Sequence, residues 1–367
     1  MDKTNVLILT SSLHIGGLEM VIAHLCRHSD RKKFDVSVCC LKGLGSIGEE
    51  LIKEGYSVTT LRKPAYMKNN YISWLQVLSL TKKKNIHVIH SHTVDSLLDA
   101  SLCKLFGWKI RTIHTFHYGN YPNLPSKYLF AEKVFSRFAD NLVAVGNEQK
   151  EKITKALKID DRSIVTVWNG VPKSQGKQEI SAVEKYRQSE RVIVGTVCTL
   201  IEQKGLTHLL DVAYSVKQKG GNALFLIAGE GHLRKDLEEK TTRLGLNDNV
   251  IFMGWVNNAS QTFIPHIDIF FLPSLWEAMS VVVLEAMEAG KPVVVTNVGE
   301  NRHVITDGVD GFLAEPGNTQ RMADVIDRLI DNNDLRAQTG EKAREKIRSL
   351  FGVERMVSAY QSLYAKG

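Results

Sequence analysis

Short apolar runs alternate with amphipathic stretches along the whole chain. Residues 6–10, VLILT, have the pattern of a buried strand, and Gly16-Gly17 then opens a stretch with apolar positions at Leu18, Val21, Ile22 and Leu25, one face of a helix. The same pattern predicts strands over 35–40, 87–90, 109–115, 141–145 and 164–167, and helices over 74–83 and about 127–138. Residues 173–190 are rich in Ser, Gln, Gly and Lys and have linker composition. A second series follows, with strands over 192–197, 224–228, 250–253, 269–272 and 292–295, helices from Leu206, Leu233 and Val281, and a charged helical end over 319–364. Strand and helix alternate throughout, which predicts an α/β protein with two doubly wound, Rossmann-like domains, 1–172 and 191–352, facing each other across a cleft. Ligands in such sheets bind outside the carboxyl ends of the strands.

Composition agrees with two domains. The chain has 367 residues, 43% apolar and 24% charged, which is globular usage at roughly 150 residues per domain. Its net charge of +7 is unevenly placed: the first 176 residues carry 25 Lys and Arg against 15 Asp and Glu, and the rest carry 22 against 25. A basic half implies an anionic partner, either phosphate-bearing or a membrane surface. Five cysteines, with Cys39 and Cys40 adjacent and no C-x-x-C pair, indicate neither a disulfide framework nor a zinc site. The apolar run 6–9 is too short for a signal peptide and leads into Ser11, Ser12 and His14 without a cleavage site. No stretch approaches the ~18 uncharged apolar residues of a spanning helix. The expectation is a cytoplasmic chain. Lys82, Lys83 and Lys84 together with Lys127, Lys133 and Arg137 make the inner membrane face a candidate site of peripheral contact; for 127–140, a core helix is the default reading.

Candidate chemistry falls where strands end. Gly16-Gly17 is either a tight turn or a place where backbone N–H groups and a helix N-terminus approach an anion. Thr199 to Gly205, TLIEQKG, puts Lys204 at a strand end, where a lysine neutralises phosphate oxygens or is simply solvated. Gly229-Glu230-Gly231 ends another strand and lacks the third glycine of a dinucleotide fingerprint. The run 273–287, PSLWEAMSVVVLEAM, places Glu277 before a helix whose N-cap would be Ser280, so that the N–H groups of Met279, Ser280 and Val281, next to Ala278, point into the site. Glu285 lies about one turn into that helix among Val282, Val283, Leu284, Ala286 and Met287. A carboxylate in such company needs donors, and ribose hydroxyls would supply them. His90-Ser91-His92 and Thr115-Phe116-His117 close two strands of the first half; strand-end packing or ligand hydrogen bonding suits them better than a metal site.

In order and spacing, Gly16-Gly17-Leu18-Glu19, Thr115-Phe116-His117, Asn169-Gly170-Val171-Pro172, Lys204-Gly205, Gly229-Glu230-Gly231, Pro273-Ser274, Glu277 with Glu285, and Ala289-Gly290-Lys291-Pro292 span nearly the whole chain. Together they resemble the family 4 glycosyltransferases of the GT-B fold, which are retaining nucleotide-sugar transferases. The resemblance implies Glu277 towards the donor sugar, Glu285 towards the ribose, Lys204 on the diphosphate, Gly16 and Gly17 near donor phosphate and acceptor, and His117 on the donor sugar. It also implies that the first domain takes the acceptor and the second the donor, and that a final helix, about 353–367, crosses back to the first. Four positions depart from the pattern: Thr199 stands for a common arginine, Ala278 for a glycine, Gly146 for a serine and His303 for a glutamate. Lys204, helped by Arg234, would then carry the diphosphate. The donor is a substrate, with a UDP-sugar favoured and a GDP-sugar the alternative; there is no D-x-D signature, and neither a required metal nor nucleic acid is expected. The implied function is sugar transfer to a glycan or lipid-linked acceptor in surface polysaccharide, lipid-linked oligosaccharide or glycolipid assembly. The alternatives are a sugar-nucleotide epimerase or hydrolase, and a non-catalytic nucleotide-sugar binding protein.

Overall fold

The structure, a computed structural model, describes residues 3–14, 16–62, 72–107, 109–173, 182–187 and 190–365. The elements run β1 (Thr4–Ser12), α1 (Gly17–His28), β2 (Phe34–Gly43), α2 (Gly45–Lys53), β3 (Val58–Thr60), α3 (Ser73–Lys83), β4 (Val88–Ser91), α4 (Val94–Phe106), β5 (Arg111–Phe116), α5 (Ser126–Phe135), β6 (Asn141–Ala144), α6 (Asn147–Leu157) and β7 (Ile164–Thr166). They continue as α7 (Glu184–Arg187), β8 (Val192–Val197), α8 (Leu206–Gln218), β9 (Ala223–Ala228), α9 (Arg234–Arg243), β10 (Val250–Gly254), α10 (Ala259–Thr262), β11 (Ile269–Leu272), α11 (Val281–Glu288), β12 (Val293–Thr296), α12 (Asn301–Val304), β13 (Phe312–Ala314), α13 (Thr319–Asp331), α14 (Asn333–Leu350) and α15 (Val353–Ala365). Two compact units result, one of Met1–Gly170 with Val353–Gly367, the other of Val171–Gly352.

Each unit is a parallel sheet with helices packed on it. The first sheet has the order β3-β2-β1-β4-β5-β6-β7 and the second β10-β9-β8-β11-β12-β13. Every neighbouring pair is parallel. Parallel strands are covered on both faces, which is why Val6, Leu7, Ile8 and Leu9 in β1, and all of ALFLIA in β9, are apolar in unbroken runs and buried. In each sheet the chain order reverses beside the first strand, β1 next to β4 and β8 next to β11, the switch point at which doubly wound sheets hold ligands.

The last helix belongs to the first unit. Its buried residues Val353, Met356, Val357, Tyr360, Leu363 and Tyr364 repeat at helical spacing. Arg111 on β5 donates to the carbonyls of Leu363 at 2.6 Å and Tyr364 at 3.2 Å, closing backbone acceptors that the last helical turn leaves open. In the second unit, α14 holds the C-terminus of α11: Arg344 reaches the carbonyls of Glu288 and Ala289, and Arg348 Nε lies 2.9 Å from Glu288 Oε1. Cations at the negative end of a helix suit its dipole, and α11 is thereby fixed from behind.

Two expectations change. Part of 173–190 lies outside the described residues, but residues 182–187 do not run free as a linker: Val183 is fully buried and Arg187 pairs with Asp268 at 2.9 Å on the body of the second unit. The stretch 127–138 is not a core helix. It ends at Phe135 and continues as a 3-10 turn over Ser136–Phe138, and the one buried residue of α5 is Glu132, which accepts from Tyr121 Oη at 2.5 Å. Its apolar positions lie at or near the surface because α5 is an outer helix.

In α1, His24 is 3% exposed with neither ring nitrogen hydrogen-bonded. Burial pulls its pKa down to about 3 from the ordinary 6.5. The unfolded chain therefore binds a proton below pH 6.5 that the folded one refuses until about pH 3, and stability is lost as pH falls through that window. Replacing His24 with Met removes this loss. Relative to wild type, the variant gains about 2 kcal/mol between pH 8 and pH 5 in chemical denaturation; equal pH slopes for the two proteins would contradict the assignment.

Candidate functional site

At the carboxyl ends of β8 and β11 in the second unit, the chain brings a cation and a carboxylate together. Lys204 closes a 3-10 turn over Glu202–Lys204 after β8, and Glu277 lies in the loop after β11. Lys204 Nζ sits 2.6 Å from Glu277 Oε1, which also accepts from Ser274 Oγ at 2.8 Å. Gln203 Nε2 donates to Glu277 Oε2 at 3.3 Å and to the Trp276 carbonyl at 3.1 Å, and the Leu275 N–H returns a bond to the Gln203 carbonyl at 2.7 Å. The side chains of Lys204 and Glu277 are only 16% and 8% exposed, so this pair is well shielded from water and satisfied by several donors.

Beside the pair, α11 begins without a cap. Ser280 stands at the N-cap position, as its sequence suggests, but its hydroxyl makes no capping bond, and the first turn has no side-chain cap. Glu285, in the same helix, is half-buried, and its carboxyl has no hydrogen-bond partner among the described residues. Burial alone pushes its carboxyl up to about 7. At neutral pH it is poised to accept from hydroxyls or to donate to them.

The glycines near this edge allow close packing of two turns. Gly229 has φ +144, and a Cβ there would lie 1.9 Å from the Cys198 carbonyl oxygen; a Cβ on Gly231 would lie 2.3 Å from that of Leu200. Both let the turn after β9 press against the loop after β8, and Leu200 N–H bonds the Glu230 carbonyl at 2.9 Å. Thr199, between them, is exposed. Arg234 is paired locally: Glu230 lies at 2.5 Å, Glu238 at 2.8 Å, and its guanidinium lies over Phe252.

In the first unit, the Glu19 side chain lies against the candidate anion cradle at Gly16-Gly17. Gly16 is extended and precedes α1, and a Cβ on it would meet Glu19 Oε2 at 2.5 Å. The Glu19 carboxyl lies over the glycine, and burial raises it above the usual carboxylate range. Across the sheet, four histidines gather at the ends of β4 and β5. His92 Nδ1 lies 2.9 Å from His117 Nε2 with the rings stacked, His90 packs on His92 at 4.1 Å between centroids, and His114 Nδ1 meets Ser91 Oγ at 2.9 Å. His90 is bonded on both sides, to Tyr364 Oη and to Thr115 Oγ1 at 2.8 Å each, and Thr115 Oγ1 lies 3.2 Å from Tyr360 Oη. Burial holds His114 and His117 down at about 3 and the other two well below 6.5, so all four imidazoles are neutral.

The structure therefore joins Lys204 with Glu277, sets Glu285 and Ala278 to Val281 along the same loop and helix, and places His117 in a network of its own. Sequence reasoning missed Gln203 and the tyrosines of α15, and it named Ser274 only within the Pro273-Ser274 motif, not as a donor to Glu277. The i, i+4 spacing of Tyr360 and Tyr364 in an apolar stripe was the available signal for those tyrosines. Among the described residues, no group of three His, Cys, Asp or Glu is arranged to hold a metal ion.

A family model described as Glycosyltransferase Family 4 matches residues 15–175, and one described as Glycosyl transferases group 1 matches residues 177–346. The chain is 26% identical over 373 residues to the UDP-Gal:alpha-D-GlcNAc-diphosphoundecaprenol alpha-1,3-galactosyltransferase of Escherichia coli, covering 95% of this chain and 94% of that protein. It is 22% identical over 356 residues to the capsular polysaccharide biosynthesis glycosyltransferase CapM of Staphylococcus aureus, covering 91% and 90%. Its fold matches that of Alr3699/HepE of Anabaena, solved in complex with UDP and glucose, with a TM-score of 0.88 at 20% identity over 99% and 100% of the two chains.

Removing Lys204 leaves Glu277 a shielded carboxylate short of its cation. Lys204→Met is expected to cost about 3 kcal/mol, read by urea denaturation with amide exchange in the second unit. Adding Glu277→Gln recovers much of that loss. A Lys204→Met protein as stable as wild type would mean that the pair is not shielded as described.

Proposed function

The chain belongs to the family 4 glycosyltransferases of the GT-B fold, and we propose that it moves a hexose from a UDP-sugar, with retention of anomeric configuration, to a glycan or lipid-linked acceptor. The observation that carries this reading is the Lys204–Glu277 pair beside an uncapped helix start and an unpartnered Glu285. A bound diphosphate takes Lys204 Nζ and the first-turn N–H groups of α11, around Met279, Ser280 and Val281. Well-aimed donors at a developing charge are each worth about 3 kcal/mol of barrier. Once Lys204 turns to phosphate, Glu277 is released to accept from hydroxyls of the sugar, still held by Ser274 and Gln203. Glu285 meets the ribose hydroxyls, and His117 the sugar. The cleaved sugar–phosphate bond leaves its electron pair on the diphosphate, which takes the proton of the attacking acceptor hydroxyl on the same face; among the described residues, this proposal assigns no further carboxylate as a covalent nucleophile. Gly229 and Gly231 serve packing, and Gly16 and Gly17 have no phosphate role in this proposal, since Glu19 lies over Gly16.

The Escherichia coli relative is named for a UDP-sugar donor and a diphosphoundecaprenol-linked acceptor, and HepE was solved with UDP and glucose. Those names favour UDP over GDP here and an acceptor in polysaccharide or glycolipid assembly. The acceptor is assigned to the first unit, whose basic excess suits a phosphorylated or membrane-held molecule. We also place the protein at the cytoplasmic face of an anionic membrane. Its five cysteines are free thiols, and among the described residues no helix is long and apolar enough to cross a bilayer. The last turn of α4 exposes Phe106 and the outer helix α5 exposes Phe130, at 61% and 69%, close in sequence to Lys104, Lys127 and Lys133. Aromatic residues flanked by bases suit a headgroup layer, where each base adds about 1 kcal/mol.

In a thermal-shift panel of UDP-, GDP- and ADP-sugars, a UDP-sugar at about a hundredfold its Kd should add about 2.7 kcal/mol of stability. Glu285→Ala should abolish that gain, and the product should keep the donor's anomeric configuration by NMR. Stabilisation by none of the sugars would overturn the reading, and an unchanged gain in Glu285→Ala the ribose assignment. For the membrane contact, association with anionic vesicles at low salt is expected and should weaken both in Phe130→Ser and on neutralising Lys82, Lys83 and Lys84. Absence of vesicle binding by the wild-type protein would remove this part of the proposal.

A further inference from the structure

The protons of the His92–His117 pair follow from elimination. His92 is 2% exposed; its Nδ1 faces His117 Nε2 at 2.9 Å, and its own Nε2 is buried without a partner. Both rings are neutral, so one of the two facing nitrogens donates and the other accepts. If His117 were the donor, His92 would carry its proton on Nε2, a buried N–H with nothing to bind. If His92 donates from Nδ1, only a lone pair at Nε2 is left over. Orphaned buried N–H groups are the rarer of the two, so the second arrangement prevails. His117 then accepts at Nε2 and holds its proton on Nδ1, the nitrogen of a half-buried ring that has no partner among the described residues.

The support beneath the pair is rigid. His90 lies against His92 with ring centroids 4.1 Å apart and is bonded at both nitrogens, to Tyr364 of α15 and to Thr115 of β5. Tyr364 Oη has no second acceptor among the described residues, so its hydroxyl donates to His90 Nδ1 and leaves His90 donating from Nε2. With the His90 ring held by a helix and a neighbouring strand, His92 has a fixed floor, and the direction of its Nδ1–H is fixed with it.

We propose that His92 is a positioning residue that donates from Nδ1 to His117 Nε2 and so sets His117 as an N–H donor, through Nδ1, to the transferred sugar. This rests on the contact between His117 and the sugar proposed above. An isolated imidazole exchanges its proton between two nitrogens and can offer a ligand either a donor or a lone pair; the pairing removes that choice. The arrangement has a cost in buried polar groups that packing alone would not require, and a leucine at position 92 would avoid it.

Ring-nitrogen shifts of the ligand-free protein labelled with 15N-histidine read both tautomers. The expected result is Nδ1–H at His92 and His117 in the wild type, a move of His117 towards Nε2–H in His92→Leu, and a return to Nδ1–H in His92→Asn, whose amide N–H takes the place of the imidazole Nδ1–H. A wild-type His117 protonated at Nε2, or a His117 tautomer that His92→Leu does not move, overturns the proposal. If His92→Leu does not fold, the wild-type and His92→Asn spectra decide. With the nucleotide sugar that stabilises the protein most, kcat/KM should fall about tenfold in His92→Leu, as when about a tenth of the molecules hold the competent tautomer, and His92→Asn should restore most of it. Full transfer by His117→Ala would overturn the sugar contact on which the proposal rests. The spectra, recorded without substrate, tell that failure from a failure of His92.

Discussion

Every strand in both sheets runs parallel to its neighbours, so within each unit all the strand carboxyl ends lie at one edge. Strand interiors are sealed in apolar cover on both faces, and the chemistry has nowhere else to go. At the edge, loops turn back into helices whose N-termini point the same way, which concentrates unfilled N–H groups and the positive ends of helix dipoles. Lys204, Glu277 and the start of α11 lie at this edge in the second unit, and His92, His117 and the start of α1 at the corresponding edge in the first.

Placing polar groups so near a packed interior carries a cost, and the two units meet it differently. The second unit surrounds the Glu277 carboxylate with a lysine, a serine and a glutamine, while burial drives the unpartnered Glu285 carboxyl up to about 7. The first unit leaves its histidines uncharged: the imidazoles bond one another, a tyrosine, a threonine and a serine, and no cation has to be balanced. The same site logic thus uses charge at one edge and neutral hydrogen bonding at the other. Charge suits a diphosphate, and neutral donors suit a sugar.

Much of the frame was legible because parallel strands are so uniform. β8 over 192–197 and β11 over 269–272 fall where the apolar runs place them, and α8 and α11 begin at Leu206 and Val281 as read. The elements missed are those whose pattern is thin or mixed. α4 buries Ser96, Asp99 and Ser101 alongside Leu97 and Ala100, which erases its stripe, and α6 buries only Gln149, Ile153 and Leu157 in an otherwise charged sequence. α5 misled in the opposite sense, since its apolar residues lie at the surface. In the site, single residues were readable and partnerships were not. Lys204 and Glu277 are 73 residues apart and meet only through the pairing of β8 with β11, and His90 meets Tyr364 across 274 residues only because α15 returns to the first sheet.

The position of Thr199 sharpens what the Lys204–Glu277 pair must do. With a threonine where an arginine is common, and Arg234 engaged by Glu230 and Glu238, the proposed function gives the diphosphate to Lys204. In the proposed reaction it cannot serve phosphate and Glu277 in full at once. A diphosphate carries more charge than one carboxylate, so Coulomb attraction favours the exchange, while Ser274 and Gln203 keep Glu277 from being left bare when it happens. Donor binding and release of the carboxylate are then one event. An enzyme built this way exposes its reactive carboxylate to a sugar only when a phosphate has already taken the lysine, which disfavours binding of free sugars at the same place.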